Sequence, residues 1–110
     1  MLSLGLYMAQ RLSAMVMAPL VLGHLAVMVY AIQGGLSSKE ILSRTQDSLI
    51  WFLFYGAFVI AVSIHAAIGL RVIVHETTGL KGRMLELFTW AVGITLMFMG
   101  ARAVSAVTML

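Results

Sequence analysis

The stretch that decides the fold is LIWFLFYGAFVIAVSIHAAIGLRVIV, residues 49–74. It exceeds the roughly 20 apolar residues that a helix needs to cross a bilayer, and its only basic side chains are His65 and Arg71. Two similar apolar runs, residues 12–32 and 84–104, lie on either side of it in the sequence. The sequence therefore predicts an all-α membrane protein with three transmembrane helices, over about residues 12–32, 49–74 and 84–104.

The composition supports this class. The chain has 110 residues, of which 62% are hydrophobic and 10% are charged, and a soluble domain of this size could not bury so much apolar surface. The length predicts a single domain, residues 1–110. The absence of cysteine excludes disulfides and thiolate metal sites. The seven Lys and Arg side chains form no basic cluster of the kind that nucleic-acid binding requires.

Polar segments separate the three runs. Residues 33–48 and 75–83 carry the glycines and charged side chains typical of water-exposed connections. Within the first of them, Ser37-Ser38-Lys39-Glu40-Ile41-Leu42 predicts a short surface helix with a serine cap. A small excess of cationic residues on one side of the bundle places the N-terminus on the cytoplasmic or matrix side. That side carries Arg11, Arg71, Lys81 and Arg83, and the other carries Lys39, Arg44 and Arg102.

His65 is the most informative residue for function, because an imidazole in hydrocarbon needs a partner for each ring nitrogen. Its neighbours one helical turn away, Ala61 and Gly69, are small enough to let a flat ring or another helix approach. Arg71 lies about 9 Å further along the axis, where a guanidinium could pair with haem propionates. Two interpretations stay open. Either His65 ligates a haem iron, or it hydrogen-bonds another helix, with small packing residues beside it and Arg71 as a topology signal.

A second histidine, His24, lies in the first predicted helix. It is about 20 Å from the Arg11 end of that helix, whereas His65 is about 9 Å from the Arg71 end of the second, so the two depths differ by roughly 10 Å. Two axial nitrogens on one iron lie about 4 Å apart. His24 and His65 are therefore not expected to share a haem. His24 is then either the ligand of a second haem or a polar packing contact near Gly23 and Tyr30.

Two short motifs resemble one protein family. The run His65-x-x-x-Gly69-x-Arg71, followed by the acidic Glu76, is similar to the second helix of the cytochrome b membrane-anchor subunits of succinate dehydrogenase and fumarate reductase. Arg11-Leu12-Ser13-Ala14 resembles the start of that family's first helix. The similarity in helix arrangement covers nearly the whole chain, although Glu76 stands where the family usually has aspartate.

The resemblance implies the cofactor and the site residues. His65 would be an axial ligand of haem b, with Arg71 close to the propionates, and His24 would match the ligand of a second haem in the two-haem members. His75 would lie near the haem edge, where it could contact a propionate or the iron–sulfur subunit. From its position just beyond the apolar run, the alternative is a water-exposed interface residue. Arg11 and Ser13 fall where the family builds its quinone site.

The implied function is a membrane-anchor subunit of succinate dehydrogenase that passes electrons from the iron–sulfur subunit to quinone. The chain has no flavin motif and no iron–sulfur cysteines, so it would be a non-catalytic subunit beside a flavoprotein, an iron–sulfur protein and a second anchor, either a different chain or another copy. The expected location is the bacterial cytoplasmic or the mitochondrial inner membrane. The alternative is a non-redox membrane protein, either a transporter subunit with a proton relay through His24 and His65 or a structural assembly factor.

Overall fold

The computed structural model of the protein describes residues 3–35 and 37–108, and over these ranges it contains helices and no strand. The helices are α1 (Leu4–Gly34), α2 (Ser38–Thr45), α3 (Leu49–Thr78) and α4 (Gly82–Thr108). Three of them, α1, α3 and α4, are long and apolar enough to cross a membrane. The prediction of an all-α membrane protein with three transmembrane helices is confirmed.

Each membrane-spanning helix extends beyond its apolar run. The 31 residues of α1 correspond to about 46 Å, against a hydrocarbon core of about 30 Å. Local capping, and not hydropathy, sets the ends: the Ser3 hydroxyl accepts a hydrogen bond from the Leu6 amide at 3.3 Å, and Gly35 ends the helix with φ at 92°. Arg11 therefore lies within α1 but outside its apolar run, in the part of the helix that is expected to reach the headgroup region.

α3 is the central helix and packs against both α1 and α4. Glycines lie at these contacts: Gly23 of α1 lies against Phe54, and Gly93 and Gly100 of α4 lie against Ala67 and Val59 of α3. Small residues at helix contacts are typical of membrane bundles, where close backbone approach replaces the hydrophobic effect between helices. The large apolar side chains of α1 and α4 remain mostly exposed, as expected for surfaces that lipid or other helices cover.

The predicted surface helix is confirmed as α2, with Ser37 as its cap: the Ser37 hydroxyl accepts from the Glu40 amide at 3.1 Å. At its other end, the buried Thr45 hydroxyl donates to the Val107 carbonyl at 2.7 Å, and the Asp47 amide donates to the Thr108 carbonyl at 2.8 Å. These bonds satisfy carbonyls at the end of α4 that have no partner within their own helix. They hold α2 across the end of the bundle opposite the α3–α4 loop.

Candidate functional site

His65 lies on the face of α3 that packs against α1. Phe58, His65 and Gly69 are spaced by seven and four residues and therefore share one face of the helix. The Phe58 ring lies 5.1 Å from the His24 ring of α1. The Gln10 amide nitrogen of α1 lies 3.6 Å from the point that a Cβ on Gly69 would occupy. The position of His65 between these two contacts places it in the α1–α3 interface.

The two ring nitrogens of His65 have different surroundings. Nδ1 is buried and makes no hydrogen bond within the described part of the chain. Nε2 also has no hydrogen bond there but is not enclosed in the same way. A buried polar atom without a partner costs about 1–3 kcal/mol. An imidazole with unused nitrogens inside a membrane-spanning helix fits the donor that a haem iron requires.

The small residues beside His65 serve helix packing. Ala61 is buried, and the Gln10 side chain of α1 lies where a side chain on Gly69 would extend. Of the two uses that the sequence left open for this strip, a ring or another helix, the structure shows α1 approaching at Gly69.

Arg71 is engaged by α4. Its guanidinium lies 2.7 Å from a carboxylate oxygen of Glu86 and donates to the Thr89 hydroxyl at 3.1 Å. The Arg71 side chain is 15% exposed and that of Glu86 is 53% exposed. These three residues form the polar end of a largely apolar cavity of about 640 Å³, which α1, α3 and α4 line. Sequence reasoning missed Glu86 and Thr89 as partners of Arg71, although an acidic residue so early in the third apolar run was a usable signal.

His75 lies in the last turn of α3 and is bonded to the loop that follows this helix. Its Nδ1 lies 2.7 Å from the Leu80 carbonyl, and since a carbonyl can only accept, Nδ1 is the donor. His75 also lines a cavity of about 670 Å³ with Tyr7, Arg71 and Lys81 among its neighbours. The predicted contact of His75 with a propionate or an iron–sulfur subunit stays a prediction.

Arg11 and Ser13 lie on different sides of α1, because two residues correspond to about 200° around a helix. Arg11 is exposed, donates to the Tyr7 hydroxyl at 3.4 Å and lies 5.7 Å from the centre of that ring. Ser13 is 6% exposed, and its hydroxyl donates to the Gln10 carbonyl at 3.0 Å. The structure thus places Arg11 beside Tyr7, a residue that the sequence analysis did not single out, and it does not bring Arg11 and Ser13 together.

His24 lies far from His65. Its ring packs against Phe58 at 5.1 Å and, edge-on, against Tyr55 at 6.1 Å. Because His65 is seven residues beyond Phe58 and ten beyond Tyr55, the offset along α3 is about 10–15 Å. This is well above the roughly 4 Å between two nitrogens on one iron. In the described ranges, no three His, Asp or Glu side chains come together to hold a metal ion.

The chain is similar to one protein family. The family model described as succinate dehydrogenase/fumarate reductase transmembrane subunit matches residues 2–101. Neither a curated protein nor a solved structure matches the chain.

Proposed function

The chain belongs to the succinate dehydrogenase/fumarate reductase transmembrane-subunit family, and from this premise we propose that it binds haem b through His65 and helps to form a quinone site at Arg11. Family membership makes the chain a membrane anchor that associates with other subunits of its complex. The proposed partners are a flavoprotein, an iron–sulfur subunit and a second anchor polypeptide. The proposed location is the bacterial cytoplasmic or mitochondrial inner membrane, with the N-terminus on the cytoplasmic or matrix side.

One observation carries the haem assignment. The His65 imidazole lies in a membrane-spanning helix, and neither of its nitrogens has a hydrogen bond in the described part of the chain. Such a residue is costly in a membrane unless it has a function. Because of the offset from His24, this chain would supply one protein ligand per iron, and the other anchor polypeptide would supply the second.

Three residues of the chain have roles in this function: His65, Arg71 and Arg11. Haem, when bound, would supply one-electron transfer, and His65 would hold its iron. Arg71 is paired with Glu86, and its guanidinium would also attract haem propionates. Arg11 is exposed and presents a guanidinium that can donate a charge-assisted hydrogen bond to a quinone carbonyl.

The test of the haem assignment is a reduced-minus-oxidised optical spectrum of the purified complex. The wild-type complex is expected to show the sharp α band of a b-type haem, and His65→Ala is expected to lose the low-spin signal or become five-coordinate. His24→Ala, purified in the same way, is the control and should keep the His65 haem. An unchanged spectrum in His65→Ala would overturn the assignment, and no haem band in the wild type would favour a non-redox membrane protein.

A further inference from the structure

We propose that Gln10 is a positioning residue for His65, whose side-chain amide accepts a hydrogen bond from Nδ1–H, directly or through one water, when Nε2 binds iron. The inference rests on the proposed haem function and adds to it a residue that neither motif contains.

Two unpaired atoms carry this inference. Among the described residues, buried side-chain atoms without a hydrogen bond occur at only two positions, Oε1 of Gln10 and Nδ1 of His65. The two atoms belong to facing helices and to the same α1–α3 interface. A buried polar atom without a partner is unfavourable, so two of them in one interface indicate a pairing that the bound state completes.

The helix register places the two side chains within reach of each other. The Gln10 amide lies against Gly69, which is one helical turn from His65 on the same face of α3, or about 6 Å along the axis. Rotation of the glutamine side chain, or one bridging water, spans that separation. The Ser13 hydroxyl, about one turn further along α1, already donates a hydrogen bond to the Gln10 carbonyl.

The chemistry of ligation decides which atom donates. When Nε2 of a neutral imidazole binds a metal, its proton is on Nδ1, which must then donate a hydrogen bond. An amide oxygen accepts such a bond. Partners of this kind fix the orientation of the ring and raise the basicity of the ligand. The amide of Gln10 therefore both orients His65 and tunes the electron density at the iron.

The experiment compares Gln10→Leu and Gln10→Glu with Gln33→Leu in the intact complex. Gln33 is an exposed glutamine near the other end of α1 and serves as the matched control. Haem affinity and the haem midpoint potential are measured for each variant, together with thermal stability. Leucine should fold well, because it replaces an unpaired buried polar group with an apolar one.

Gln10→Leu is expected to weaken haem binding about 10–100-fold, the usual effect of losing such a partner, and to raise the midpoint potential because a less basic imidazole stabilises oxidised iron less. Gln10→Glu is expected to lower the potential, since a carboxylate is a stronger acceptor. Gln33→Leu should match the wild type.

The outcomes separate the two proposals. If the wild-type complex contains no haem, the proposed function fails and this inference fails with it. If the wild type binds haem and Gln10→Leu matches Gln33→Leu in affinity and potential, only the inference on Gln10 is overturned. A shift of the midpoint potential in the same direction for Gln10→Leu and Gln10→Glu would also overturn it. A hydrogen bond to Nδ1 predicts opposite shifts, whereas a purely structural role does not.

Discussion

His65 lies where an unpaired imidazole is unfavourable, because its Nδ1 is buried between two membrane-spanning helices without a hydrogen bond. Burial of such an atom costs about 1–3 kcal/mol, so an apolar side chain of similar size would give a more stable helix pair. A use for the nitrogens accounts for the residue better than packing does. The proposed iron ligation at Nε2, with Nδ1 as a donor, would satisfy both nitrogens at once.

Arg11 supports a prediction about quinone. Arg11→Leu is expected to weaken quinone reduction, because it removes the proposed charge-assisted hydrogen bond to the quinone carbonyl. Succinate oxidation by a soluble artificial acceptor does not need that bond and should stay largely intact. Both activities are measured on the same purified complex. Equal loss of both would indicate an assembly defect instead of a quinone role.

His24 supports a prediction about the number of haems. If it holds a second haem, the wild-type complex titrates in two redox steps, and His24→Ala removes one step while the His65 step stays. Because the two histidines are offset by about 10–15 Å, they cannot bind the same iron. A wild-type complex with one haem and one step would make His24 a packing residue that contacts Phe58 and Tyr55.

At the scale of single residues, the sequence predicted which polar side chains the membrane would surround but not which of them meet. Hydropathy alone placed His65 and Arg71 inside a transmembrane helix. The ion pair of Arg71 with Glu86 and the position of Gln10 against Gly69 were missed. Periodicity identifies residues on one face of one helix and contains no information on the register between two helices.

At the scale of helices, α4 contacts α3 at two glycines, Gly93 and Gly100, and the space beside Gly100 is much smaller than the space beside Gly93. A Cβ on Gly100 would collide with the Val59 side chain, whose own Cβ lies 3.2 Å away, whereas a Cβ on Gly93 would lie 3.5 Å from the Ala67 Cβ, an ordinary contact. The branched side chain of Val59 has little room to move away, because its first carbon is part of the contact.

Gly100→Ala is therefore expected to destabilise the helix pair by about 1–3 kcal/mol, the usual cost of overpacking. Gly93→Ala is the matched control on the same helix and should cost much less. The measurement is denaturation of the purified protein in detergent. Equal stabilities of the two variants would contradict the close approach of α4 to Val59.

The helix ends show the limit of hydropathy as a predictor of elements. The apolar run predicted for the first span began near residue 12, but α1 begins at Leu4, because the Ser3 cap and the backbone hydrogen bonds of the helix continue past Arg11. The short helix α2 was predicted more closely, since a serine cap before a run with Glu40 at the third position is a local signal.

At the scale of the whole molecule, the three-helix bundle buries few of its apolar side chains within the chain. Only 6% of the apolar window of α1, and likewise of α4, is buried within the chain. Apolar helix surfaces of this kind are covered by lipid or by other helices. Family membership supplies other subunits as partners, and this agrees with the expectation that the chain is one part of a larger anchor bundle.

The orientation of the bundle gives a prediction that the absence of cysteine makes simple to test. The α2 segment and the α3–α4 loop lie at opposite ends of the bundle, and each has an exposed lysine, Lys39 and Lys81 respectively. Because the cationic side chains are slightly more frequent at the Lys81 end, that end is expected to face the cytoplasm or matrix. A single cysteine at either lysine would be the only thiol in the chain.

With a membrane-impermeant maleimide, Lys39→Cys is expected to be labelled in intact spheroplasts of a bacterial host. Lys81→Cys is expected to react only after the membrane is permeabilised. The cysteine-free wild type is the control for background labelling. The reverse pattern would place the N-terminus outside, and it would move Arg11 and the proposed quinone site to the side of the membrane away from the soluble subunits, because Arg11 lies at the same end of the bundle as Lys81.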